Sequence, residues 1–117
     1  MSFEHRHYLS PLFDPSSVLL VVDDPESPGW VAQIAGRLRA SGRRHAILLT
    51  TALDAQVEPG FDLAIVAVAL DSVSAALERA ARLGCRSAVV VSDDVGVEQA
   101  RGWRQLARQA GMRLLGP

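Results

Sequence analysis

Four short runs of Val, Ile, Leu and Ala, at Val18 to Val22, Ala46 to Leu49, Leu63 to Val68 and Ala88 to Val91, do not alternate with polar residues. A strand with one wet face alternates with a period of two. Runs that stay apolar throughout belong to strands buried on both faces, as in a parallel sheet covered by helices. Arg113 to Leu115 supplies a shorter fifth candidate.

The segments between these runs carry helical spacing. Val31, Ile34, Ala35 and Leu38 share one face, with Ser27 as N-cap, Pro28 at the first helical position and Gly42 as the stop. A second face gathers Val73, Ala76, Leu77 and Ala80, with Asp71 as cap and Gly84 at its end. A third places Trp103, Leu106, Ala107 and Ala110 at i, i+3, i+4 and i+7, closed by Gly111. Three helices alternating with five strands imply an α/β fold: a Rossmann-like, doubly wound parallel sheet in one domain, with right-handed crossovers. The link from Thr50 to Phe61 departs from the pattern, because a parallel crossover normally holds a helix and this one has room for a turn or two. The leader, Met1 to Ser17, is a separate polar and aromatic arm ahead of a domain spanning 18–117.

Size and charge narrow the function classes. The chain has 117 residues, 49% hydrophobic and 21% charged, which suits one core and leaves no room for a second. Twelve Lys and Arg against thirteen Asp and Glu give a formal charge of -1, so no global field draws it to nucleic acid or an anionic membrane. The longest apolar runs fall far short of the roughly 20 residues that span a bilayer, and the start "MSFEHRH" lacks the apolar core of a signal peptide; the expected location is cytoplasmic. Cys85 is the only cysteine, opens an apolar run and reads as packing.

Open parallel sheets bind ligands at the carboxyl ends of their strands, near the point where the strand order reverses. The residues there are Asp23 and Asp24, Thr50 and Thr51, Ala69 to Ser72, and Ser92 to Asp94. A phosphate loop after the first strand would carry glycine and small polar residues, whereas this chain places Asp23, Asp24 and Glu26 there. Carboxylates at a helix N-terminus satisfy its dipole themselves, so they take over the electrostatic role of a phosphate. If the first and fourth strands are neighbours, Asp23-Asp24 and Asp93-Asp94 face one crevice, where Mg²⁺ or Ca²⁺ would relieve their repulsion. Solvated caps are the commoner use of Asp at such turns, and no metal site is assigned.

The stretches "HYLSPLFDPSSVLLV", "DLAIVAVALDSV", "GCRSAVVVS" and "LARQAGMRLLGP" resemble the coenzyme A-binding domain of NDP-forming acyl-CoA synthetases and of the large bacterial protein lysine acetyltransferases related to them. The resemblance covers nearly all of one family domain and none of the ATP-grasp, phosphohistidine or acetyltransferase parts. The family runs on after the last stretch into its next domain, so the resemblance implies either a domain cut from a larger protein or a stand-alone one, and the end at Gly116-Pro117 favours cutting. It also implies coenzyme A or an acyl-CoA as ligand, other domains of a larger chain as partners, and no catalysis by this domain alone. Contacts carried over by position are Asp24, Ser27, Gly29, Thr50, Thr51 and Ser92. The departures lie in the ligand loops: the family's Gly-Ala-Ser after the first strand reads Val22, Asp23 and Asp24, and its Ser-Ala-Gly-Phe after the fourth reads Ser92, Asp93, Asp94 and Val95. Coenzyme A binding is therefore expected to be weak or lost.

Two other readings stand beside this one. The first is a regulatory or assembly module that has given up its ligand crevice. The second is a degenerate phosphorylation receiver, which "VLLVVDD" also resembles, although Ala67 stands where the phospho-accepting Asp would be and the chain contains no lysine. A first strand beside the fourth would mark the Rossmann-like order, and beside the third a receiver. The cluster Arg37, Arg39, Arg43, Arg44 and His45 reads as a solvated helix end. Trp30 and Trp103 read as packing residues, and no nucleophile has a convincing base.

Overall fold

The computed structural model describes residues 17–24, 29–91 and 95–115. Five parallel strands form one sheet: β1 (Ser17–Val22), β2 (Arg44–Leu49), β3 (Leu63–Ala67), β4 (Ser87–Val90) and β5 (Arg113–Leu115). Three helices alternate with them, α1 (Trp30–Ala40), α2 (Val73–Arg82) and α3 (Val97–Gln109). The fold is the doubly wound, Rossmann-like α/β sheet that the apolar runs imply. All six residues of β1 are buried, as a strand covered on both faces requires.

The strand order is β2-β1-β3-β4-β5. This corrects the placement of the first strand beside the fourth: β1 lies between β2 and β3, and β3 separates it from β4. The cause is the crossover between β2 and β3, which contains a single 3₁₀ turn (Thr50–Ala52) and no strand. Deleting the third strand from the order 3-2-1-4-5-6 and renumbering gives 2-1-3-4-5, which is also the flavodoxin and receiver order. Strand order alone therefore does not separate the two folds. The acidic crevice rests on the premise that β1 and β4 are neighbours, whereas β3 lies between them; Asp93-Asp94 lie outside the described residues.

The in-register pairing sorts side chains to two faces. On one face Leu19, Val21, Ala64, Val66, Ala88 and Val90 meet Val73, Ala76, Leu77 and Ala80 of α2 and Trp103 and Ala107 of α3. On the other, Val18, Leu20, Val22 and Ala67 meet Val31 and Ala35 of α1. All three helical stripes are those the sequence spacing picks out, except that Ala110 falls just past α3 and is exposed. Gly42, Gly84 and Gly111 end the helices with φ of +74°, +89° and +77°, a region open to glycine because it has no Cβ.

The starts of the helices differ from expectation. Gly29 precedes α1 and provides no side-chain cap, while Ser27 and Pro28 lie outside the described residues. Asp71 sits within a 3₁₀ turn (Leu70–Ser72), one residue short of the capping position, which Ser72 holds without a side-chain bond. At α3 the Gln99 Oε1 accepts from the Gly96 N–H at 3.2 Å.

Beyond its one 3₁₀ turn the crossover has no regular structure to satisfy its carbonyls, and two arginines bond three of them. From β2, Arg44 donates to the Pro59 carbonyl at 3.1 Å and the Glu58 carbonyl at 2.8 Å, with its guanidinium 4.1 Å from the centroid of the Phe61 ring. From α2, Arg79 donates to the Ala55 carbonyl at 2.8 Å. Leu53 and Val57 pack on the core from the same segment. Arg44 is thus a structural clamp as well as part of a basic cluster. The crossover closes at its end through buried Ser17, whose Oγ donates to the Gly60 carbonyl and accepts from the Asp62 N–H, each at 3.0 Å. Gly60 donates in turn to the Leu83 carbonyl at 2.8 Å.

Candidate functional site

The strand order reverses between β1 and β3: the chain leaves β1 toward β2, then crosses back to β3 and continues away. The carboxyl ends of these strands are where a doubly wound sheet opens a crevice. Asp23 follows β1 directly at that point. Its Oδ1 accepts from the Thr50 hydroxyl at 2.8 Å, and its Oδ2 accepts from the Ala69 N–H at 2.8 Å. Thr50 begins the turn after β2, and Ala69 lies two residues beyond β3. One carboxylate therefore ties the ends of three adjacent strands.

Aspartate performs this task because each oxygen reaches a different neighbour and both bonds gain from the negative charge. Its position follows from register: Val22 pairs with Leu49 on one side and Ala67 on the other, so all three strands finish at the same level. The acidic residue after β1 was legible as a substitute for a phosphate. Its partners were not, since they are a hydroxyl and an amide at strand ends, 27 and 46 residues away, rather than the amides of a helix N-terminus.

The other predicted positions spread around this point. Asp24 is exposed beside Asp23, and Thr51 is exposed in the 3₁₀ turn after Thr50. Gly29 opens α1 with a right-handed φ of -59°, and a Cβ there would meet nothing within 4 Å, so no described neighbour requires glycine. Ser27 and Ser92 lie outside the described residues. Sequence position places both Thr50 and Ala69 at strand ends, but nothing in the sequence marks the backbone N–H of Ala69, which proline would lack, as the group used.

A coenzyme A pyrophosphate needs donors and an absence of nearby anions. Here the Thr50 hydroxyl and the Ala69 N–H already serve a carboxylate. Two like unit charges about 4 Å apart repel by roughly 1 kcal/mol in water and about 4 kcal/mol at a surface dielectric. Among the described residues, those at the reversal point do not fit an unaided pyrophosphate. Among the described residues, no three His, Cys, Asp or Glu side chains gather where they could hold a metal ion. Ala67 ends β3 and Val68 and Ala69 follow it, so the first carboxylate after that strand is Asp71, in the following turn. A phosphorylation receiver would need one at the strand end.

Away from the crevice, Cys85 is buried and its thiol is pushed up to about 12, first by burial and then by the charge of Asp62. Such a thiol is neither a nucleophile nor a ligand at neutral pH. Trp103 is buried in the main core, and Trp30 packs at the edge of the second one. Arg37 and Arg39 are exposed in the last turn of α1, at the amino end of the sheet and opposite the crevice. No helix among the described residues is long and apolar enough to cross a membrane. No protein-family model matches the chain, and comparison with curated proteins finds no match.

Proposed function

We propose that this chain is a non-catalytic, Rossmann-like module of the coenzyme A-binding type in which the anion position at the strand-order reversal is taken by its own Asp23. The observation that carries this reading is the pair of 2.8 Å bonds that Asp23 accepts from Thr50 and Ala69. An internal carboxylate holds the strand ends together and turns away the phosphates for which the fold would otherwise offer donors. The module then acts through contacts with other domains or proteins, as a regulatory or assembly unit, and coenzyme A or acyl-CoA binds weakly or not at all. The same bonds favour the assembly reading over a working cofactor site, because they use the crevice for cohesion.

Isothermal titration with coenzyme A and acetyl-CoA, with and without Mg²⁺, tests the reading. The expected result is no saturable heat at millimolar ligand from folded protein. Saturable binding near micromolar would refute it, and a Mg²⁺ requirement for that binding would assign the aspartates to a cation that bridges the pyrophosphate.

A further inference from the structure

Helix α3 packs against α2 and against β5, the strand at one end of the sheet order. It buries Ala100, Trp103 and Ala107 and leaves Arg101, Arg104 and Arg108 exposed. Spacings of three and four residues set these arginines along one face, over about 10 Å of helix. The row continues past the helix to exposed Arg113, the first residue of β5, and to exposed Arg86, whose carbonyl accepts from the Arg113 N–H at 2.8 Å. Glu98 is the one carboxylate of α3, and no Asp or Glu occurs from Gln99 to Pro117. The helix dipole accounts for a cation in the last turn, which holds Arg108 alone. Like charges three and four residues apart weaken a helix, so helix stability does not account for the row as a whole.

We propose that this row is a docking surface for an acidic segment of a partner protein, which rests on the reading of the chain as a module that acts through contacts. Charge complementarity selects this occupant. Every cation of the row is arginine, whose planar fork bonds a carboxylate through two N–H groups at once. A nucleic acid is the poorer fit, because the chain as a whole carries a formal charge of -1 and has no long-range field to gather phosphates. Trp103, the aromatic side chain of α3, is buried and presents no ring on which a base could stack. Arg104 and Arg113 also interact within their own chain, so Arg101 and Arg108 are the residues whose replacement reads the surface.

The test uses the full chain and a fluorescein-labelled oligoglutamate peptide, with oligothymidine of the same charge for comparison. Salt of about 0.1 M gives a Debye length of about 10 Å, which confines charge effects to the local surface. ¹H–¹⁵N spectra should show saturable shifts confined to α3 and the residues around Arg86 and Arg113, and fluorescence anisotropy should show the peptide held more tightly than oligothymidine. Arg101→Glu combined with Arg108→Glu loses two exposed ion pairs and gains two repulsions of similar size, which should weaken the peptide by about tenfold. Arg101→Gln with Arg108→Gln loses the pairs alone and should weaken it by about threefold. Arg37→Glu with Arg39→Glu, at the end of α1, should leave the affinity unchanged. Absence of saturable shifts, shifts at α1 instead, an equal loss in the α1 variant, or tighter binding of oligothymidine would each overturn the proposal. So would the same shifts on concentrating the protein alone, which would assign the row to a second copy. Titration of the same sample with coenzyme A reads the crevice separately, so failure at the row and failure of the crevice reading remain distinct.

Discussion

Replacing Asp23 separates its two roles, holding strand ends and supplying negative charge. In Asp23→Ala both bonds vanish, leaving the Thr50 hydroxyl and the Ala69 N–H without their partner. A hydrogen bond to a charged group contributes about 1.5–3 kcal/mol when sheltered, but Asp23 is exposed and water replaces much of each. A total loss of about 1–2 kcal/mol follows. With a urea m-value of about 1–1.5 kcal/mol/M for a domain this size, the midpoint should fall by about 1 M. Asp23→Asn behaves differently, because its amide oxygen can accept from Ala69 while its NH₂ donates to the Thr50 oxygen. The midpoint of that variant should drop by less than half as much. Its charge, however, is gone, so repulsion of a nearby phosphate falls by about 1–4 kcal/mol, or roughly fivefold to a thousandfold in affinity for coenzyme A. Equilibrium urea unfolding and calorimetric titration of the three proteins provide the readouts. Equal midpoints for wild type and Asp23→Ala would refute the structural role, and wild-type coenzyme A affinity unchanged in Asp23→Asn would refute the electrostatic one.

Three further outcomes follow from the structure. Arg44→Ala should destabilise the fold by about 1–3 kcal/mol in urea unfolding, by freeing two carbonyls and the contact with Phe61; Arg44→Lys should recover less than half, since one ammonium cannot span both carbonyls. Gly60→Ala should cost about 1–3 kcal/mol in the same assay, because its φ is +106° and a Cβ would stand 3.2 Å from Nη1 of Arg44. For Cys85, the folded state keeps its proton up to about pH 12, while the unfolded thiol loses it near its ordinary value of 9.0. Between those values the unfolded state binds fewer protons, so the Cys85 contribution to stability declines as pH rises, by up to about 1.4 kcal/mol per pH unit. Unfolding measured from pH 8 to 10.5 should show a shallower decline in Cys85→Ala than in wild type.

What the sequence revealed, and what it hid, divides along the range of the interactions. Non-alternating runs located four of the strands, most clearly β1, where burial on both faces selects aliphatic residues at every position; β5 was read from the shorter segment Arg113 to Leu115, which opens on an exposed arginine. β2 begins at Arg44, two residues ahead of its apolar run, since Arg44 and His45 lie at the amino end of an edge strand where polar side chains reach water. The stripe of α2 was fully legible, and all four of its residues are buried. The strand order was not, because the missing strand in the crossover shifts every later neighbour by one place. Nor could spacing reveal that Arg44 and Arg79 serve the crossover carbonyls, or that Ala69 contributes an N–H, because those pairings depend on loops brought together by the sheet. Asp23 was recognisable as an anion standing in place of another, and only the register of three strand ends shows what it holds.

The Ala69 N–H offers the most direct view of the site. Its amide resonance, followed by ¹H–¹⁵N correlation spectra during titration with coenzyme A, reports on the bond at the strand-order reversal. The account predicts that this resonance stays in place up to millimolar coenzyme A in the wild type and moves on replacement of Asp23 by Asn. A saturable shift of the wild-type resonance at micromolar coenzyme A would contradict it, for the crevice would then admit the phosphate that Asp23 is argued to replace.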